Sequence, residues 1–232
     1  MTSSSPQASP WTYRAPAGPW DEFLTPDGRP RAHWRRLAAG LRRMGYGEFT
    51  RRVDLAERLI QTNGITYNVY GDPRGQQRPW LMDQVPLVID EREWTGIEQA
   101  VIQRATLLNA ILADLYGSQI LLRERLLPPE LVFGNARFLR PCHGLRLKSG
   151  VYLQHYAVDI ARAPNGSWWV LTDRTQAPSG LGYALENRLV SARTLPTLLT
   201  QCHVRPLSRF FDQTFDALLA LSPNREIGRA HV

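Results

Sequence analysis

The residues best suited to chemistry lie between Val151 and Arg188. From Val151 to Arg162 the residue types alternate, with Val, Tyr and Ile enriched. Asn165-Gly166 follows, and then Trp168-Trp169-Val170-Leu171-Thr172-Asp173. Two such runs around Asn-Gly spell a β-hairpin, because Asn and Gly accept the positive φ angles of a two-residue turn. With Asn165-Gly166 as the loop, Pro164 faces Ser167. Counting outward places Asp159 opposite Thr172, so that the two share a sheet face. Asp173 then points to the other face unless a bulge or the strand's end re-aims it. A lone Asp on a strand is ordinarily a solvated carboxylate. This one is followed by a glycine-rich turn, Ala177-Pro178-Ser179-Gly180-Leu181-Gly182-Tyr183, and by Leu185-Glu186-Asn187-Arg188 opening a helical stretch. Backbone amides in such a turn can receive an anion. The glycine spacing matches neither a P-loop nor the dinucleotide fingerprint.

The elements that must position this stretch are mixed. Residues 1–22 read as a flexible leader, rich in Ser, Pro and Ala with little to bury. Helical pattern runs from Arg31 to Thr62, interrupted near Gly45 to Gly47, so two successive helices are expected. Ile65 to Tyr70 is a short strand-like run ending in the turn-forming Gly71-Asp72-Pro73-Arg74-Gly75. The firmest helix covers 91–116: Trp94, Ile97, Val101, Leu108, Ile111, Leu112 and Leu115 recur at helical intervals, and Gly117 stands where a C-terminal cap belongs. Asp90 with Glu93 resembles a capping box at its start. After Pro128-Pro129, Leu131 to Phe133 reads as another short strand, leading into a polar loop around Asn135 to Lys148. No internal repeat is visible. The fold class expected is α+β, mixed helices with antiparallel strands.

Composition narrows the function classes. The chain has 232 residues, 43% of them hydrophobic, enough for a real core. It has no run approaching the roughly 18 uninterrupted apolar residues of a membrane span. Met1 to Pro10 lacks the features of a signal peptide, so a cytoplasmic protein without membrane partners is expected. Cys142 and Cys202 match no metal-ligand spacing and are expected to be buried, reduced thiols. The histidines His143, His155 and His203 likewise have no mutual spacing of a metal site. The net charge of +7 and pI near 9.9 raise the question of nucleic acid. The charge is almost all arginine, with Lys148 the only lysine, and its densest stretch runs from Arg31 to Arg58. Leu37, Leu41, Met44, Val53, Leu55 and Leu59 recur through that stretch at near-helical spacing, which favours amphipathic helices with solvated arginine faces over a nucleic-acid footprint.

The segments Val69-Tyr70-Gly71-Asp72, Gln103-Arg104, Asp114-Leu115-Tyr116, Val158-Asp159-Ile160-Ala161-Arg162 and Thr172-Asp173-Arg174-Thr175-Gln176-Ala177-Pro178-Ser179-Gly180 through Glu186-Asn187-Arg188 come in an order and spacing that resemble a known family. That family is the circularly permuted ATP-grasp proteins of type 2, related to glutathionylspermidine-synthase-like ligases. The resemblance covers Ile65 to Pro196 and implies a partial ATP-grasp-like fold. It also implies ATP and Mg²⁺ as cofactors, and a carboxylate substrate activated as an acyl phosphate for attack by an amine. Small-molecule or peptide substrates follow, and nucleic acid does not. Permutation moves the metal carboxylates ahead of the lysine-bearing nucleotide strands, so the resemblance makes Asp159 and Asp173 the metal candidates. Arg174, Ser179 and Gly180 become candidates for holding the cofactor's phosphates, and Arg188 with Glu186 for the reacting groups, since guanidinium matches phosphate and carboxylate in a bidentate way. The sequence departs from the family pattern on the second strand. There the family reads Glu-Asp-Asn, with Glu and Asn as metal ligands, where this chain has Thr172, Asp173 and Arg174. By the register above, the missing Glu is the residue that faces Asp159.

The lysines expected further along an ATP-grasp chain do not follow. Glu226-Ile227-Gly228-Arg229-Ala230-His231-Val232 reads as an in-frame translation of GAG ATC GGA AGA GCA CAC GTC, which resembles the start of a common sequencing adapter. The expectation is therefore an N-terminal portion of the permuted ATP-grasp region over 23–223, with 224–232 a non-native tail. Three functions stand open. The first is a truncated part of an ATP- and Mg²⁺-dependent carboxylate-amine ligase, inactive alone. The second is a non-catalytic binding or scaffold protein on a degenerate ATP-grasp frame, motivated by Thr172 and Arg174. The third, ranked last, is nucleic-acid binding through Arg31 to Arg58.

Overall fold

In a computed structural model the chain is described over residues 13–15, 18, 20–67 and 78–222. Tyr70 to Gly75, the segment Val69-Tyr70-Gly71-Asp72 and the tail from 223 onward lie outside the described residues. The order of elements is α1 (Arg35–Met44), α2 (Tyr46–Thr62), β1 (Thr66–Tyr67), β2 (Arg78–Pro79) and the long helix α3 (Glu91–Leu115). The short helices α4 (Ile120–Arg123) and α5 (Pro129–Phe133) follow, then β3 (Ala157–Arg162), β4 (Trp168–Arg174), α6 (Leu181–Thr194), α7 (Pro196–Gln201) and α8 (Ser208–Leu221). β1 pairs with β2 and β3 with β4, both antiparallel, so the fold is of the mixed α+β class.

The chain divides into two compact units. The first comprises Met1–Asp90, Ala163–Gly166 and Gly180–Arg209. Here α1 ends and α2 begins at a single residue, Gly45, whose φ of 75° only glycine adopts without strain. The two helices bury Leu37, Ala38, Leu41, Ala56 and Ile60, and leave Arg35, Arg36, Arg42, Arg43, Arg51 and Arg58 exposed. The half-buried Arg52 donates to Glu48 at 2.7 Å and to the carbonyl of Thr194 at 2.5 Å. One core cluster joins Trp34, Leu37 and Leu41 to Leu195 and Leu198, and another joins Ala56 and Ile60 to Val190.

The second unit comprises Glu91–Arg162, Ser167–Ser179 and Phe210–Val232. Acidic Glu91 and Glu93 sit in the first turn of α3, where the helix dipole favours negative charge. Asp114, near the C-terminal end of α3, accepts the backbone N–H groups of Ile120 and Leu121 at 2.8 and 2.9 Å, and so caps α4. Tyr116 stacks on Phe138 with centroids 5.0 Å apart, while its carbonyl takes the Gly144 N–H at 2.7 Å. These bonds give the Asp114-Leu115-Tyr116 segment a structural role. Leu131 to Phe133 is helical, contrary to the strand expected. Pro129 opens α5 at a position where its missing N–H costs nothing and its fixed φ suits a helix, and Val132 is buried. Both cysteines are free and half-buried.

The hairpin turn also differs from the one expected. Arg162 pairs with Trp168, so the connection holds five residues. The Gly166 N–H donates to the Ala163 carbonyl at 2.8 Å, which puts Pro164 and Asn165 at the corners and Gly166, with φ of 87°, after them. Proline's fixed φ suits the first corner of such a turn, and this competes successfully with an Asn-Gly corner.

The α1–α7 packing depends on a missing side chain. A Cβ built on Gly40 lies 1.9 Å from Leu198 Cδ2. Gly40→Ala is expected to destabilise by about 1–3 kcal/mol through overpacking, less up to about 1 kcal/mol of helix propensity regained. Leu198→Ala is expected to cost about 2–5 kcal/mol. The double variant should be more stable than the sum of the two losses, because the new methyl fills space that Leu198 vacates. Denaturant unfolding of the four proteins checks this, and strict additivity would show that the two residues do not share that space.

Candidate functional site

The β3–β4 hairpin carries the acids singled out from sequence, and its register decides where they point. Near the turn Arg162, Ala161 and Ile160 pair with Trp168, Trp169 and Val170; beyond it Asp159, Val158 and Ala157 pair with Thr172, Asp173 and Arg174. Leu171 is the extra residue, a β-bulge between the two runs. Asp159 therefore does face Thr172, and Asp173 does lie on the opposite face.

Each acid is held by an arginine. On one face Arg174, diagonal to Asp159, donates from Nε to Oδ1 and Oδ2 at 3.1 and 3.0 Å and from Nη2 to Oδ2 at 2.6 Å. These hydrogen bonds hold the Asp159 carboxyl below its ordinary range and raise the Arg174 guanidinium above its own. On the other face Arg104 of α3 grips Asp173 in a bidentate fork, Nε to Oδ1 at 2.6 Å and Nη2 to Oδ2 at 2.7 Å. The Tyr156 hydroxyl donates to the same Oδ1 at 2.5 Å. Arg104 first, then Tyr156, hold Asp173 down at about 2. Burial and then the bond to Asp173 push the Tyr156 hydroxyl up to about 12, so it remains a donor throughout the physiological range. A third pair steadies the turn end. Arg162, its side chain only 7% exposed, donates to Glu93 at 2.5 Å and lies over the Trp168 ring at 4.1 Å.

Arg104 and Tyr156 escaped the reading of the sequence. The partner of Asp173 sits 69 positions away, and no local periodicity reports a contact of that length. The one available signal was the presence of Gln103-Arg104 among the family-like segments.

In the first unit, α6 presents its own candidates. Gly180, with φ of 102°, forms the N-cap of α6 without a side-chain bond, and a Cβ there meets nothing within 4 Å. Ser179 beside it is exposed. Glu186 accepts from Asn63 at 2.5 Å, Asn187 from the Trp80 indole at 2.7 Å, and the Tyr183 hydroxyl donates to the Thr66 carbonyl at 2.7 Å. Tyr183 also stacks on Trp80, with centroids 4.4 Å apart. Arg188 is different. It is half-buried, burial lowers its affinity for the proton, and it has no hydrogen-bond or ion-pair partner among the described residues. A desolvated guanidinium without an acceptor is suited to receiving a carboxylate or phosphate.

Magnesium needs several oxygen ligands converging on one point. Asp159 and Asp173 do not converge, and the oxygens of each already accept from guanidinium groups. Among the described residues no three or more His, Cys, Asp or Glu side chains gather as a metal-holding group. The hairpin as it stands does not fit a divalent cation.

The fold is a mixed α+β chain with an acidic hairpin ahead of a glycine turn and a helix, the order that the resemblance to permuted ATP-grasp proteins implies. The family model for circularly permuted ATP-grasp type 2 matches residues 86–232, and the chain belongs to that family. Among its relatives, an uncharacterized protein of Mycobacterium bovis is 36% identical over 217 residues, covering 90% of this chain and 24% of the relative. One from Synechocystis sp. is 31% identical over 208 residues, covering 90% and 43%. One from Mycobacterium leprae is 31% identical over 199 residues, covering 86% and 35%. The chain thus spans between about a quarter and somewhat under half of the length of these relatives. No helix among the described residues is long and apolar enough to cross a membrane.

The Asp173 pairing makes a pH prediction. Its folded carboxyl titrates near 2, below the ordinary 3.8, so the stabilisation is complete above the unfolded value and is lost as pH falls through about 2. Asp173→Asn should lower the melting temperature by a few degrees at pH 7, and the gap to the parent should close between pH 4 and pH 2. A gap that stays constant over that range would mean Asp173 contributes nothing by its charge.

Proposed function

We propose that the whole protein is an ATP- and magnesium-dependent ligase that joins a carboxylate to an amine, forming an amide or peptide-like bond between small-molecule or peptide substrates. In that reaction a carboxylate oxygen attacks the γ-phosphorus of ATP and ADP leaves. The amine nitrogen then attacks the acyl carbon, phosphate departs, and the amine gives up a proton. The observation that carries this reading is membership of the permuted ATP-grasp family over 86–232. The activity is assigned to the whole protein, of which this chain supplies the hairpin and α6, and the chain by itself is expected to be inactive. Its single lysine supports that division, since phosphate-binding lysines are part of the chemistry the family implies. Magnesium, on this reading, is held chiefly by residues other than Asp159 and Asp173.

Within the chain, the reading gives Arg188 the part of holding the negative end of a substrate or a phosphate. Its partial burial and lack of an acceptor among the described residues support this. Glu186, hydrogen-bonded to Asn63, then positions α6, and Gly180 at its N-cap leaves room for a phosphate. A second reading, a non-catalytic binding protein on the same frame, is favoured by one observation, the engagement of both hairpin acids by arginines.

The full-length protein distinguishes the two. With ATP, carboxylate donors and hydroxylamine, the ligase should release ADP and trap an acyl hydroxamate. Arg188→Gln should raise the KM for the carboxylate or for ATP about tenfold or more, the effect of losing one charge-assisted contact. A full-length protein that binds no ATP by calorimetry would sink the ligase reading and leave the binding protein.

A further inference from the structure

The face of the hairpin that carries Asp159 is arranged as a cation site with its cation already in place. Directly across from Asp159 stands Thr172, and the diagonal position is taken by Arg174. The guanidinium reaches back over the sheet and contacts both carboxylate oxygens, with Nη2 only 2.6 Å from Oδ2. We propose that Arg174 is a built-in substitute for a divalent metal: the positive charge at Asp159 is supplied by the chain itself, and the hairpin binds no magnesium through that carboxylate.

Three features support the assignment independently. A divalent ion at Asp159 has to displace a guanidinium that stays tethered next to it, leaving like charges side by side. The second hairpin acid is on the other face, gripped by Arg104 and Tyr156, so one carboxylate alone is left where a hard cation needs several oxygens. Thr172 and Arg174 also act together, since the residue opposite Asp159 offers a neutral hydroxyl and the diagonal one brings a charge. Unlike a metal, which comes and goes with its concentration, a guanidinium is charged at every physiological pH and cannot be chelated away. This inference concerns the hairpin's own chemistry and holds whichever reaction the whole protein catalyses.

Manganese(II), followed by the loss of its free electron paramagnetic resonance signal on titration with the 232-residue chain in the absence of nucleotide, tests it. The parent and Asp159→Asn should bind the ion equally weakly. The double variant Thr172→Glu, Arg174→Asn puts a second carboxylate directly across from Asp159 and removes the competing charge. It should bind manganese at least tenfold more tightly than the parent, and adding Asp159→Asn should abolish the gain. Far-ultraviolet circular dichroism checks that the variants are folded, and Arg174→Gln serves as a milder version of the same release. The proposal is overturned if Asp159→Asn weakens manganese binding by the parent chain tenfold or more, or if the folded double variant binds no better than the parent. Should the double variant not fold, the comparison of the parent with Asp159→Asn decides by itself.

Discussion

One inserted residue governs the hairpin. Between the pairs Ile160–Val170 and Asp159–Thr172, the bulge at Leu171 shifts the ladder by one place. A side chain changes face with every one-residue slip. Had the pairing nearest the turn simply continued, Asp159 would face Leu171, and Asp173 would fall diagonal to it on the same side. With the bulge, Asp173 turns to the other face and Arg174 takes the diagonal place. The insertion therefore decides whether the neighbour of Asp159 is a second acid or a base, and with it whether this face gathers negative charge for a cation or neutralises itself. The five-residue turn and the bulge together restore the pairing of Asp159 with Thr172 that a two-residue turn alone would give.

That compensation explains how much of the hairpin was legible. Counting from Asn165-Gly166 reached the right partner for Asp159 through a turn that does not form. Pro164, with φ already fixed, takes a corner that the Asn-Gly pattern assigns to Asn165. The long helix α3, the break at Gly45 and the helical nature of α6 were readable because each has a local physical signature: apolar periodicity, a glycine at positive φ, a glycine turn before the first helical residue. Leu131 to Phe133 failed because three apolar residues carry no period, and Pro129 decided the matter in favour of a helix. The grip of Arg104 on Asp173 had no local signature at all.

The same distinction sorts the candidates on α6. Glu186 is a candidate site residue by sequence, yet it and its neighbour Asn187 are each taken up by a contact with a side chain more than a hundred positions away, Asn63 and Trp80. These bonds, with the Tyr183 stack on Trp80, fix the helix against the segments around β1 and β2. Once they are assigned to packing, Arg188 stands out by what it lacks. Its neighbours one turn away, Ala184, Leu185, Ser191 and Ala192, offer no carboxylate, so the helix itself cannot neutralise it.

The chain's preference for arginine then acquires a physical reason. A guanidinium presents its donors in a planar fork that fits a carboxylate at two points, whereas an ammonium is a point charge on a flexible stem. The three acid pairs of the second unit, Arg104–Asp173, Arg162–Glu93 and Arg174–Asp159, all exploit that fork, and none is a site for a lysine. Two of them cross from strand to helix and one spans the strands, so together they fix both the docking of the hairpin on α3 and the state of its acids. Exposed pairs such as Arg174–Asp159 add little to stability singly. Their effect here lies in charge: every carboxylate on the two strands is matched by a permanent cation, so none is left to attract a metal. A chain of net charge +7 that has neutralised the acids of its hairpin keeps its surplus as arginine. Arg188, half-buried and without an acceptor among the described residues, has the chemistry to receive an anion.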